Sequence, residues 1–184
     1  MQSTQRSLIV PPCRVRLRYN LSSKEFLFRY FLTVFLLDCR LRLLHLMLTL
    51  NADTRSTLKQ WLQSDTLLVA CLCAAWCDVC SEYRAIFSSL ASQHAEANFI
   101  WIDIEEHADL IGDIDVDNFP TLLIQRGPHV TFFGSVPPGL QVGHRLIQAQ
   151  CDKSLAELAA EAESSVERQR WQSAFHLAPR FGND

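Results

Sequence analysis

Several routes to function are closed by what this sequence lacks. Its 184 residues contain no glycine-rich phosphate loop, no serine-nucleophile motif and no flavin fingerprint, so nucleotide-borne, serine-hydrolytic and flavin chemistry have no recognisable seat. Long apolar runs are missing as well. In FLFRYFLTVFLLDCRLRLLHLMLTL, residues 26–50, the charges at Arg29, Asp38, Arg40 and Arg42 leave only Tyr30–Leu37 uninterrupted between the first two. A helical span needs about 20 mostly apolar residues, so a membrane is not an expected partner. No internal repeat or low-complexity tract occurs.

Basic charge is scarce where a nucleic-acid surface would need it. Residues 1–50 carry eight Arg or Lys against two acids, about +6, while residues 51–184 carry nine against eighteen, −9. An acidic body has no broad surface for phosphates, so nucleic acid is excluded as its partner. The basic leader, residues 1–46, reads as disordered or as sequence outside the native domain, since the only methionines are Met1 and Met47 and structured patterning starts after the second.

What is present is a chain long enough for one full core, with 48% hydrophobic and 20% charged residues. Seven cysteines, an odd number without the spacing of a secreted disulfide framework, point to a reducing, cytoplasmic compartment. The expected organisation is a leader at 1–46, a principal domain at 47–150 and a helical extension at 151–184.

Local patterns fill in the body. Asp53 or Thr54 opens a short helix over about 54–63. The apolar run Thr66–Cys73 predicts a strand buried on both faces. Val79, Tyr83, Ile86, Phe87 and Leu90 recur at helical spacing from Cys77 to about 97. NFIWIDI, residues 98–104, predicts a second strand, parallel to the first, and a short helix follows near 107–113. Strands at 121–125 and 130–133 flank the turn signal Arg-Gly-Pro-His. One helix begins near Pro138 and another spans 152 to about 170, with Leu155, Leu158, Ala159, Ala162 and Val166 on one side.

The chemistry-bearing stretch is AAWCDVCSEY, residues 74–83. Cys77 falls at a helix start, where unpaired N–H groups and the helix dipole favour an anion. Cys80 lies one turn along on the same face, suited to resolve a mixed disulfide. Cys77 is therefore the expected nucleophile and Cys80 the expected resolving thiol. Asp78 and Val79 stand between them, and the Asp78 carboxylate opposes a second negative charge beside Cys77.

LLVACLCAAWCDVCSEY resembles the strand, WCxxC and helix of the thioredoxin family, and Phe119-Pro120-Thr121 resembles that family's cis-proline loop. The resemblance covers about residues 52–150. It implies a three-layer α/β/α sandwich around a central mixed sheet of four or five strands. Trp76 would shield the active-site edge, and Phe119, Pro120 and Thr121 would line a groove for extended substrate chains. The implied activity is disulfide exchange, in the reducing direction, with protein disulfide substrates and a thiol or reductase as electron donor. This is electron transport in the service of cell redox homeostasis, by a monomer. It requires no cofactor beyond a redox-active Cys77–Cys80 disulfide, and no metal.

The pattern departs from that family at three places. Asp78-Val79 replaces the usual glycine and proline. Cys71 stands where thioredoxins place a buried aspartate, and either modulates the pair as a partner for Cys80 or is an inert thiol. Trp101 stands near the site of a usual lysine. Two rival readings remain. One is a thioredoxin-like binding or chaperone domain with negligible turnover. The other is a metal module using Cys71, Cys73, Cys77 and Cys80. His94, His107, His129 and His144 read as solvated surface.

Overall fold

The computed structural model describes residues 47–112 and 114–181, so the leader at 1–46 lies outside the described residues. Five strands form one mixed sheet in the order β1-β3-β2-β4-β5: β1 Leu48–Thr49, β2 Leu67–Cys73, β3 Ala97–Asp103, β4 Thr121–Arg126 and β5 His129–Ser135. β3 pairs in parallel with both β1 and β2, while β4 runs antiparallel to β2 and to β5. β2 lies at the centre, and all seven of its residues are buried. That is the outcome expected for an uninterrupted apolar run.

The helices are α1 Arg55–Leu62, α2 Asp78–Gln93, α3 Ala108–Ile111, α4 Leu140–Cys151, α5 Leu155–Ala162 and α6 Val166–Ala174, closed by a 3-10 turn at Ala178–Phe181. Thr54 precedes α1 without capping it by its side chain; its hydroxyl donates to Thr49 O instead, at 2.7 Å. Gly127, at φ 54°, makes the β4–β5 turn in a left-handed conformation that suits glycine.

Alternation along β2 divides the core. Leu68, Ala70 and Leu72 face one side with Ile100, Ile102, Leu110 and Ile111. Leu67, Val69, Cys71 and Cys73 face the other, against Cys80, Tyr83, Phe87, Leu90 and Ile147 of α2 and α4. The period of two puts every cysteine of β2 on the α2 side. Each large apolar side chain so buried contributes about 1.5–3 kcal/mol relative to exposure.

The C-terminal extension is not one helix. It breaks at Glu163–Ser165, and Ser165 caps α6 through Arg168 N while Ser154 and Glu157 form a capping box on α5. Leu158 and Ala162 are buried as the helical spacing implies, but the break turns Val166 outward, leaving it 84% exposed. The extension packs against the sheet: Phe175, Leu177 and Phe181 enter the core beside α1 and β5. Gln172 accepts from Val130 N at 2.8 Å and donates to Val130 O at 2.9 Å. One side-chain amide thus occupies part of the open edge of β5, a device that blunts strand pairing with another chain.

Candidate redox site at the head of the second helix

β2 delivers the chain to the site, and the loop Ala74–Cys77 turns it into α2. Cys77 is the N-cap residue, extended at φ −86° and ψ 112°, and its sulfur accepts the Cys80 N–H at 3.4 Å. It thereby serves one of the four N–H groups that a helix start leaves unpaired. Cys77 is half-buried and a thiol. Asp78 and Val79 are exposed beside it, and Trp76 is 67% exposed. The Trp76 indole N–H donates to Glu105 Oε1 at 2.8 Å, and its ring meets Phe119 edge-on, centroids 5.8 Å apart. Trp76 and Val79 give the thiol an apolar, accessible rim.

Across the sheet, the Phe119–Pro120 peptide bond is cis. Thr121 pairs with Leu72, so the register extended by one residue sets Pro120 opposite Cys73. The Thr121 hydroxyl donates to Asn118 O at 2.7 Å, and Val136 N donates to Pro120 O at 3.1 Å. The structure thus gathers Trp76, Cys77, Phe119, Pro120 and Thr121 at the end of β2 where α2 begins.

The cysteine pairing differs from the expected one. Cys80 is bonded to Cys73, with Cα atoms 6.0 Å apart, and the Cys77–Cys80 disulfide expected from the sequence is not the bond this structure holds. The reason is geometric. Cys73 is the last residue of β2 on the α2 face, directly below the first turn of α2, within the Cα range that permits a bridge. Cys71 is not the partner of Cys80; it lies further down the strand, its sulfur 3.9 Å from that of Cys73. Cys73 and Cys80 joined to each other also do not present the four separate thiolates that the Cys71, Cys73, Cys77, Cys80 metal reading needs.

Beneath the pair the groups are neutral. Burial pushes the Cys71 thiol well up, and the nearby Arg84 charge offsets only part of that. Tyr83 is pushed up as well, first by burial and then by Cys71, and its hydroxyl is buried without a hydrogen-bond partner among the described residues. Arg84 stacks over Trp101 at 4.9 Å and donates to Thr49 Oγ1 at 2.7 Å. A cation therefore reaches the neighbourhood of Trp101 from α2, although β3 carries no lysine there.

A second polar cluster lies at the far end of α2. His94 is 1% exposed, contrary to its expected solvated setting. It closes α2, with one ring nitrogen 3.0 Å from Glu96 Oε1 and the other 2.9 Å from His144 Nδ1. The Cys151 thiol donates to the same Glu96 oxygen at 3.5 Å. Burial alone would raise the Glu96 carboxyl, but hydrogen bonds from His94, its own backbone and Cys151, with the His94 charge, hold it below its ordinary value. His107 is likewise engaged, its Nε2 2.9 Å from Leu50 O. In the sequence these histidines sit among polar neighbours, and nothing there marks His94 as buried.

Comparison with known proteins agrees with this architecture. The family model for thioredoxin matches residues 49–135. A Thioredoxin H-type protein of Brassica campestris is 32% identical over 75 residues, 41% of this chain and 61% of that protein. Thioredoxin-2 of Saccharomyces cerevisiae is 30% identical over 63 residues, 34% of this chain and 61% of that protein. The match therefore spans under two thirds of these relatives' length. A poplar thioredoxin h structure superposes with a TM-score of 0.52 at 17% identity, over 59% of this chain and 98% of that one. Fold, helix-start cysteines and matches converge on one segment: residues 49–135 match the thioredoxin family model, and the chain has a thioredoxin-like fold.

Proposed function

We propose that this protein exchanges disulfides with protein substrates, in the reducing direction, with Cys77 as nucleophile and Cys80 as resolving thiol. The observation that carries this reading is the position of Cys77: a partly accessible thiol at the N-cap of α2, rimmed by exposed Trp76 and Val79, with Trp76 packed edge-on against Phe119 of the cis-proline loop. In the fully reduced protein the Cys77 thiolate attacks one sulfur of a substrate disulfide, and the other substrate sulfur leaves as a thiolate. Cys80 then attacks Cys77 Sγ and expels the second substrate thiolate. The substrate gains two electrons, and the protein is left with one disulfide.

Trp76, Phe119, Pro120 and Thr121 form the groove for the substrate chain. The reducing equivalents come from a small thiol or a reductase protein, and the three thiols among the described residues favour a reducing, cytoplasmic setting. No helix among the described residues is long and apolar enough to cross a membrane. The protein works as a monomer, without metal or bound cofactor. Burial raises both Cys71 and Tyr83, so neither supplies a base beneath Cys80.

That missing base also supports a second reading, a binding or chaperone domain with little turnover. Insulin reduction separates the two. Turnover with dithiothreitol as donor that vanishes in Cys77→Ser is expected for an exchanger; turnover absent from both proteins favours binding.

A further inference from the structure

The two-cysteine cycle leaves Cys73 without a part, although its sulfur is the one bonded to Cys80. We infer that Cys73 is a second resolving residue, which takes Cys80 over from Cys77 so that the oxidised protein rests with a buried Cys73–Cys80 bond beneath an unbound Cys77 thiol. The inference rests on the exchange reading above.

Strand geometry supplies the first ground. Residues of one β2 face recur every second position, and Cys73 is the last of them before the chain turns into α2, the helix that carries Cys80. The second ground is depth. Cys73 is fully buried and Cys80 is 2% exposed, whereas Cys77 reaches the surface and holds the Cys80 N–H. Of the three sulfurs, only that of Cys77 meets both solvent and the backbone of Cys80.

The added step is redox-neutral. Once substrate has left a Cys77–Cys80 disulfide behind, the Cys73 thiolate attacks Cys80 Sγ, a Cys73–Cys80 bond forms, the Cys77–Cys80 bond breaks, and Cys77 leaves as a thiolate. Over the full cycle three thiols become one thiol and one disulfide, and the two protons released go to the two substrate thiolates. The nucleophile is thereby restored while the oxidising equivalent is stored out of reach. Exchange requires access of the attacking thiolate to a disulfide sulfur, so an external donor cannot open the buried bond directly. Cys77 must first attack Cys80 and release Cys73, which returns the disulfide to the surface.

The test uses the full chain as wild type, Cys73→Ser, Cys73→Ala and Cys77→Ser, with circular dichroism to verify folding. Each reduced protein receives one equivalent of oxidised glutathione, is quenched in acid, alkylated in denaturant and mapped by peptide mass. Wild type is expected to end with Cys73 joined to Cys80 and Cys77 alkylated, and both Cys73 variants with Cys77 joined to Cys80. In Cys77→Ser oxidised with diamide, reduction of the Cys73–Cys80 bond by dithiothreitol is expected to be slower than wild type by about tenfold or more. Wild type ending with a Cys77–Cys80 bond and an alkylated Cys73 would overturn the inference and leave the exchange reading intact. Failure of Cys77 to form any mixed or internal disulfide in the Cys73 variants would overturn the exchange reading itself.

Discussion

The two ends of α2 both bury cysteine and titratable groups against the same face of the sheet, yet they are built to opposite purposes. At the C-terminal end, His94, His144, Glu96 and Cys151 are linked by hydrogen bonds into one network. At the N-terminal end, Tyr83 has a buried hydroxyl without a hydrogen-bond partner among the described residues, Cys71 is a buried thiol, and Cys77 stands partly open beside Trp76. A buried polar cluster whose members satisfy one another stabilises the fold and has little left to offer a substrate. A site for chemistry keeps its reactive group available. Cys77 and Cys151 are both half-buried, but the Cys151 thiol is engaged with Glu96, whereas Cys77 stands beside exposed Trp76 and Val79.

The sharpest way to break this contrast is to remove a sulfur from each end. Cys77→Ser is expected to bring insulin reduction down to the uncatalysed rate, whereas Cys151→Ser leaves it within about twofold of wild type, as expected of a side chain with no part in the chemistry. Equal losses in the two variants would show that both ends serve the reaction. In stability the order reverses. His94→Ala leaves the Glu96 carboxylate without its main partner and should cost about 1–3 kcal/mol in urea unfolding, with exchange retained. Placing a carboxylate beneath the redox pair by Cys71→Asp should speed the resolving step several-fold at neutral pH by supplying a base. The same change lowers stability, because the new charge is buried; stopped-flow alkylation and urea midpoints measure the two effects.

The smallest expected effect is in the pH dependence of stability. Glu96 lies below its ordinary value of 4.5 in the folded protein, so its contribution is present above that value and lost as pH falls through the folded value. His176 is lowered from 6.5, chiefly by burial and further by His129, against a backbone hydrogen bond to Gly127. The unfolded chain therefore protonates first at His176, and stability declines as pH falls below 6.5. Urea midpoints should decrease from pH 7.5 to 5.5, and His176→Gln should flatten that limb.

Much of this was legible in the chain. The run Leu67–Cys73 became the central strand because continuous apolar residues bury both faces, and Tyr83, Phe87 and Leu90 became the inner stripe of α2 because they recur at helical spacing. The resemblance to thioredoxins also anticipated the cis bond before Pro120. Other features depend on tertiary placement. The Cys73–Cys80 pairing crosses a strand, a loop and a helix turn, and CxxC spacing alone draws attention to Cys77 as the partner of Cys80 and away from Cys73; the CxC period on β2 was the available clue. The break before α6 is set by the Ser165 cap, a local hydrogen bond that outweighs the helix propensity of the alanine- and glutamate-rich sequence around it. Burial of His94 depends on where α2 ends relative to α4, which no local pattern encodes.

Trapping a substrate on the nucleophile tests the central claim most directly. Cys80→Ser, reduced and incubated with a disulfide-bonded peptide, should accumulate one covalent peptide adduct that maps to Cys77. No adduct, or an adduct on Cys71, Cys73 or Cys151 instead, would contradict the account.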